Sequence, residues 1–264
     1  LRAPHPEHWT DKMAFGIAFE GCAGRAAFHV GVVEGLLEIN LQPDFVSGAS
    51  AGAIVAACLA SGKAQDLRKR WLAVGGSRVF CPEMMLRGQW PWRMSDILGQ
   101  MLTQTFGDMA LPEMRYPIAI PVTVFRRGRR CRIVLTRADD VPVVEAVLAS
   151  CFVPGPYARP IRIGGRMAWD GAWMVRTPVD ATFALGAQRV LAVLGHADGR
   201  LRSGYPLAKT LDPPDNTLLL HPASTLALGR YDTDAGRMQA AINAGHESLL
   251  QFARTHPHWF PQAS

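Results

Sequence analysis

The pentapeptide Gly48-Ala49-Ser50-Ala51-Gly52 constrains this chain more than any other feature. Before it, residues 44–47 (Asp44-Phe45-Val46-Ser47) form a short segment with Phe45 and Val46 at its centre. Residues 50–61 follow as a stretch of small and apolar residues closed by Gly62. The first run reads as a strand and the second as a helix. A serine with glycine two positions to either side, at a strand-to-helix junction, reads as a nucleophile elbow. The turn is so tight that the chain passes against itself, which is why Gly48 and Gly52 are needed. The helix that follows aims its positive N-terminus at the serine hydroxyl, favouring an alkoxide. Taken alone, the same five letters also arise by chance in a Gly/Ala-rich helix. Residues 45–62 are the most hydropathic stretch of the chain, but their Gly, Ala and Ser content and required turn read as strand, turn and buried helix rather than a bilayer span.

The elements upstream give this motif a setting. Residues 15–19 are an apolar run that reads as a buried strand, and residues 25–38 read as a helix with a small-residue face. With the elbow, the order is strand, loop, helix, strand, turn, helix. Such a βαβα unit predicts a parallel sheet, a right-handed crossover and ligand binding at the carboxyl ends of the strands. The first loop, Gly21-Cys22-Ala23-Gly24-Arg25, joins a strand to a helix. Its backbone N–H groups suit an oxyanion hole. A nucleotide-phosphate loop is the rival reading, but the Lys-Ser/Thr pair is absent and the glycine spacing fails the dinucleotide pattern.

Farther on, residues 80–105 are rich in Met and Trp and show no clean period. They read as a core flap or, alternatively, as a lid or interfacial patch. Residues 118–125 and 130–135 read as a hairpin around Arg126-Arg127-Gly128-Arg129, with the arginines on a solvated turn or attracting anionic headgroups. Residues 143–151 read as a helix, 161–163 and 167–169 as short strands, 189–194 as a buried strand and 233–253 as an amphipathic helix. There is no repeat or clear linker, so residues 1–12 are expected to be a tail and 13–264 a single domain.

After the strand at 167–169 comes Asp170-Gly171-Ala172, which suits a tight turn. The three groups in this order resemble the patatin-like phospholipase family. The matching pieces are Gly21-Cys22-Ala23-Gly24-Arg25 with Phe28-His29-Val30-Gly31-Val32, then Gly48-Ala49-Ser50-Ala51-Gly52, then Asp170-Gly171-Ala172. Lesser matches are Ala149-Ser150-Cys151 with Pro154, and Ile242-Asn243-Ala244-Gly245. The resemblance implies a three-layer α/β/α fold with a mostly parallel central sheet. It also implies a serine acyl hydrolase in which Ser50 is the nucleophile and Asp170 its acid–base partner, without a catalytic histidine. The loop would supply the oxyanion hole through N–H groups near Cys22 and Ala23, with Arg25 at the family's basic position. The family loop usually carries glycines where Cys22, Ala23 and Ala26 stand here, and a methyl at Ala23 restricts φ. Those departures motivate an alternative, a catalytically weak lipid-binding protein.

A histidine triad is a further alternative, with His196, His221, His246, His256 and His258 available after Asp170. However, the α/β-hydrolase fold places more strands before its elbow than the two found here. Cysteine and histidine spacing supports no metal site, and the hydrolysis needs no cofactor. The formal charge of +6, carried mostly by arginine, comes without a nucleic-acid-binding motif. An acyl-ester or lipid substrate, with peripheral membrane contact, is the expected partner. Five scattered cysteines without a C-x-x-C pair fit a reducing, cytoplasmic compartment.

Overall fold

The structure is a computed structural model that describes residues 13–257 and 259. The tail expected over 1–12 and His258 lie outside the described residues. In chain order the elements are β1 (Phe15–Phe19), a 3-10 turn (Ala23–Ala26), α1 (Ala27–Glu38), β2 (Phe45–Gly48), α2 (Ala51–Ala60), α3 (Leu67–Ala73), α4 (Met94–Phe106), β3 (Ile118–Arg126), β4 (Arg129–Thr136), α5 (Val143–Cys151), β5 (Arg162–Ile163), β6 (Arg166–Trp169), α6 (Val179–Ala184), β7 (Arg189–Val193), β8 (Leu201–Arg202), β9 (Thr210–Leu211), β10 (Thr217–Leu220) and α7 (Ala235–Thr255).

The main sheet runs β10-β7-β1-β2-β3-β6-β5, with β4 also paired to β3. From β10 to β3 every pairing is parallel, whereas β4, β5 and β6 pair antiparallel. The α/β class and the mostly parallel sheet follow from the sequence of β1 and β7. Both are buried along their whole length, β1 apolar throughout and β7 apolar from Val190, as strands covered on both faces must be. Phe15, Ile17 and Phe19 of β1 point into the larger core, beneath α1, α2 and α7. Ala18 points the other way, into a smaller core closed by Val179 and Phe183 of α6. The second outer layer is therefore much the thinner one.

Helices α1 and α7 cross with their backbones in direct contact. A Cβ on Gly31 would run into the Ile242 carbonyl, and one on Gly245 into the Phe28 carbonyl. Only glycine at both positions permits this approach, which explains the small-residue face of α1 and the Ile242–Gly245 stretch.

Strand β3 positions the site. One edge is covered by β4 from Ala119 to Arg126. The other edge is shared: β2 pairs with Ile118 and Ala119, and β6 runs in from the opposite direction to pair with Thr123 and Val124. The ends of β2 and β6 thus face each other across the middle of β3, near Pro121, which lacks an N–H to offer a neighbouring strand.

Several elements differ from the sequence expectations. The helix expected from residue 25 begins as a 3-10 turn and becomes α-helical at Ala27. Helices α3, α4 and α6 and strand β10 were not anticipated. Helix α3 buries only Leu67 and Trp71, too few positions to display a period. Gly99 sits in the middle of α4 without breaking it, and residues 94–105 belong to the Met/Trp-rich stretch that shows no clean period. The long C-terminal helix starts two residues later than expected, at Ala235, because Asp234 accepts the Arg237 N–H as its N-cap.

The tip of the arginine hairpin is solvated, as expected, and β4 beyond it makes side-chain contacts. Arg126, Arg127, Arg129 and Arg130 are exposed; Arg130 also donates to the Tyr205 carbonyl at 2.7 Å, and Arg132 pairs with Asp180 at 2.5 Å. No helix among the described residues is long and apolar enough to cross a membrane. All five cysteines are free.

Candidate active site

Ser50 occupies the turn between β2 and α2 with φ 52° and ψ −130°. An L-residue held there costs on the order of 1–3 kcal/mol, supplied by the surrounding packing. A Cβ on Gly48 would strike the Gly52 carbonyl, and one on Gly52 would strike the carbonyls of Phe19 and Glu20 on the neighbouring strand. Both glycines are thus dictated by close approach. The Ser50 N–H donates to Ser150 Oγ at 3.0 Å, and Ser150 Oγ donates to the Pro121 carbonyl at 2.7 Å. Ser150 on α5 therefore ties the elbow to the open middle of β3.

Asp170 follows β6. Ser50 Oγ donates to its Oδ2 at 2.7 Å, and the Ala172 N–H donates to its Oδ1 at 2.8 Å. Its backbone is held as well, the N–H by the Phe152 carbonyl at 2.8 Å and the carbonyl by Thr123 Oγ1 at 2.9 Å. Burial pushes the carboxyl up to about 6, and the Ser50 hydroxyl, the Ala172 N–H, Arg230 and Arg176 oppose that rise. Near neutral pH the group is ionised yet close enough to its pKa to accept and return a proton.

The first loop lies against this pair, since a Cβ on Gly21 would sit 3.1 Å from Ser50 Cβ and 2.8 Å from Ala172 Cβ. Ala23 has φ 53°, the left-handed conformation that favours glycine. An alanine thus holds this conformation at a cost in strain. Among the five loop residues, the N–H of Gly21 donates to Arg176, that of Gly24 to Arg230 and that of Arg25 to Cys22. Among the described residues, the N–H groups of Cys22 and Ala23 make no hydrogen bond. They remain available to a developing oxyanion.

A cavity of about 490 Å³ connects these parts. Residues 21–25, Ser50 and Asp170 form part of its wall, together with an apolar lining that includes Ile54, Trp71, Leu98, Met101 and Met238. Arg25, Arg230, Tyr231 and Asp232 add polar groups.

The profile of a family described as "Patatin-like phospholipase" matches residues 17–183, more than half of the chain. The chain belongs to the patatin-like phospholipase family. A patatin-like phospholipase domain-containing protein of Pyricularia oryzae (strain 70-15) is 43% identical over 53 residues, which are 20% of this chain and 7% of that protein. The chain therefore corresponds to a small part of that relative's length. Among solved structures, VipD from Legionella pneumophila superposes with a TM-score of 0.51 at 14% identity, covering 92% of this chain and 67% of VipD. Human GIVD cytosolic phospholipase A2, solved with methyl γ-linolenyl fluorophosphonate and terbium chloride, gives 0.51 at 12% identity, covering 94% of this chain and 59% of that one. Both likenesses concern the fold.

In this patatin-like chain the loop is held by residues outside Gly21–Arg25. Glu20, at the end of β1, pairs with Arg176 at 2.6 Å, both almost fully buried, and Glu20 Oε2 accepts the Gly195 N–H at 2.7 Å. Burial raises the Glu20 pKa, and Arg176 opposes the rise. The Arg176 guanidinium lies 4.7 Å from the Tyr205 ring centre, and Arg230 lies 5.4 Å from it. The carbonyls of these two arginines accept the N–H groups of Gly21 and Gly24. One tyrosine thus contacts both arginines whose backbones hold the loop's two sides. A charged residue at the end of an apolar strand was the only local signal. Nothing near Tyr205 or Arg230 in sequence connects them to the loop.

The histidines sit elsewhere. His196 Nε2 is 2.9 Å from Arg176 Nη2 and so must accept, leaving the ring neutral. Burial, then Arg176 and Arg25, push its pKa down to about 4. His29 is buried within α1, where desolvation pushes it down to about 3. His246 pairs with Glu38 at 2.6 Å between α7 and α1. No histidine among the described residues lines the cavity or hydrogen-bonds Ser50.

Proposed function

We propose that the chain, from residue 13 onward, works as a single lipid acyl hydrolase domain with Ser50 and Asp170 as a two-residue catalytic centre. The observation that carries this reading is the 2.7 Å hydrogen bond from Ser50 Oγ to Asp170 Oδ2 in the wall of a largely apolar cavity. Asp170 takes the hydroxyl proton as Ser50 Oγ attacks the ester carbonyl. The carbonyl oxygen becomes an oxyanion, stabilised by the N–H groups of Cys22 and Ala23. As the tetrahedral species collapses, the C–O bond to the alcohol breaks and Asp170 returns the proton to the leaving oxygen. Ser50 then carries the acyl group. Asp170 next accepts a proton from water, which attacks the acyl carbonyl, and collapse returns that proton to Ser50 Oγ and releases the fatty acid.

The apolar cavity wall suits an acyl chain, and the family supports a fatty-acyl ester: a phospholipid, a lysophospholipid or a glyceride. The left-handed Ala23 supports a working loop, because the alanine keeps the backbone shape that the glycine would adopt.

The test is hydrolysis of a soluble p-nitrophenyl ester by wild type, Ser50→Ala, Asp170→Asn and His246→Ala. Activity lost in the first two variants and retained in the third supports the dyad. A wild type that neither turns over the ester nor reacts with a fluorophosphonate probe overturns it and leaves the lipid-binding reading.

A further inference from the structure

The Met/Trp-rich stretch expected as either a core flap or an interfacial patch divides into two parts. Helix α4 is buried in part. The segment before it projects as a closed knuckle. Phe80 and Trp92 bridge, the Cys81 N–H donates to Pro91 at 2.8 Å and the Arg93 N–H to Val79 at 2.9 Å. Between these ties runs a 3-10 helix, Pro82–Arg87, that buries none of its residues. Leu86 is 91% exposed, Met85 62% and Trp90 54%. The Trp90 indole N–H is satisfied by the Gly155 carbonyl at 2.7 Å, so the exposed part of that side chain is apolar. Three large apolar side chains exposed on one short, tied-off segment are the kind of feature that accompanies an interaction surface.

Its position identifies what covers it. Both roots of the knuckle, Val79 and Met94, line the acyl cavity. The Trp92 ring lies 6.0 Å from Tyr231, another cavity residue. Leu207, 86% exposed, directly follows the cavity residues Tyr205 and Pro206. The exposed apolar groups thus adjoin the cavity wall at two separate points. Residues 78–93 contain Arg78, Arg87 and Arg93 against a single acid, Glu83, which pairs with Arg78 at 2.8 Å. Apolar tips with tryptophan and an arginine excess suit the boundary of an anionic bilayer.

We infer that Met85, Leu86 and Trp90 insert into the surface of an anionic phospholipid bilayer, seating the cavity against the membrane that supplies its substrate. The choice of lipid as occupant rests on the acyl-hydrolase reading. None of the three residues lines the cavity, so docking and chemistry are separable.

The experiment is co-sedimentation with phosphatidylcholine vesicles, with and without phosphatidylglycerol, using wild type, Met85→Ser/Leu86→Ser and Arg87→Glu. Wild type is expected to bind, more strongly with phosphatidylglycerol. The double serine variant should lose affinity by about tenfold or more, and Arg87→Glu should lose the preference for phosphatidylglycerol. Soluble-ester turnover and the near-ultraviolet circular dichroism spectrum should match wild type in both variants. Equal vesicle binding by wild type and the double variant overturns the inference, as does a wild type that does not bind. A dimer in sedimentation velocity that dissociates in the double variant overturns it too, because the knuckle would then be a subunit interface. Absent soluble-ester turnover alongside knuckle-dependent vesicle binding counts against the hydrolase reading and leaves the docking surface standing.

Discussion

Ser50 and Asp170 lie 120 positions apart in the chain, yet Ser50 Oγ is 2.7 Å from Asp170 Oδ2. They meet because β2 and β6 approach each other end to end along one edge of β3. Ser50 follows one strand end, and Asp170 follows the other. The remaining gap is held by Ser150, which bonds both the Ser50 N–H and the Pro121 carbonyl. The geometry of this pair yields predictions that can be checked independently.

The rate should report the Asp170 carboxyl. Only the ionised group accepts the Ser50 proton, and its pKa is pushed up to about 6. The kcat/KM for a soluble ester should therefore rise about tenfold per pH unit below that value and level off above it. Asp170→Asn and Ser50→Ala should each lower kcat roughly 10⁴-fold or more. A pH–rate profile flat from pH 4 to pH 8 (about two units either side of that pKa) would remove Asp170 as the base.

Stability should move the opposite way to activity. The folded-state pKa of Asp170 lies above the usual 3.8, so ionisation is harder in the fold than in the unfolded chain. The protonated form's contribution to stability is present below about pH 4 and is lost as pH rises through about 6. Asp170→Asn can still accept from the Ala172 N–H without carrying charge. Near pH 4 it should unfold in urea much like wild type, and at pH 8 it should be more stable by about 2–3 kcal/mol. A variant less stable than wild type at pH 8 would count against a strained, buried carboxylate.

Ala23 provides a test of the loop. Its φ of 53° costs an alanine on the order of 1–2 kcal/mol. Glycine relieves that strain but adds unfolded-state entropy worth about 0.4–1 kcal/mol. Ala23→Gly should therefore melt at the same temperature as wild type or slightly above, with activity retained. Ala23→Val, β-branched in a left-handed position, should melt lower and lose turnover. Equal melting temperatures for the valine and glycine variants would contradict the strained geometry.

Tyr205 should act through the loop rather than on the substrate. Tyr205→Phe keeps an aromatic face for Arg176 and Arg230, whereas Tyr205→Leu removes two cation–π contacts of about 0.5–1 kcal/mol each. The leucine variant should show a lower kcat and slower fluorophosphonate labelling, with KM for a soluble ester little changed, and phenylalanine should behave as wild type. If leucine and phenylalanine variants label at the same rate, the stack does not position the loop.

Much of this was legible along the chain because it depends on near neighbours. The glycines at 48 and 52 are required by steric contact within one turn and with the adjacent strand. The run at Phe15–Phe19 is apolar throughout because β1 is buried on both faces. Less could be read where burial is sparse or distributed. Helix α3 buries two side chains, α4 carries a mid-helix Gly99, and the Met/Trp stretch combined a packed helix with an exposed knuckle of similar composition. Hydrophobicity alone does not distinguish a residue facing the core from one facing outward.

The sequence by itself determined the elbow, the loop that precedes it and the aspartate turn, since each is a local pattern whose residue types are dictated by backbone conformation and close approach. Only the tertiary structure decided that β6 would arrive against the end of β2, that Arg176 and Arg230 would hold the loop through Tyr205, and that Leu86 would face outward. Those relationships join segments far apart in the chain. They are fixed by strand pairing and side-chain packing, which no local pattern encodes.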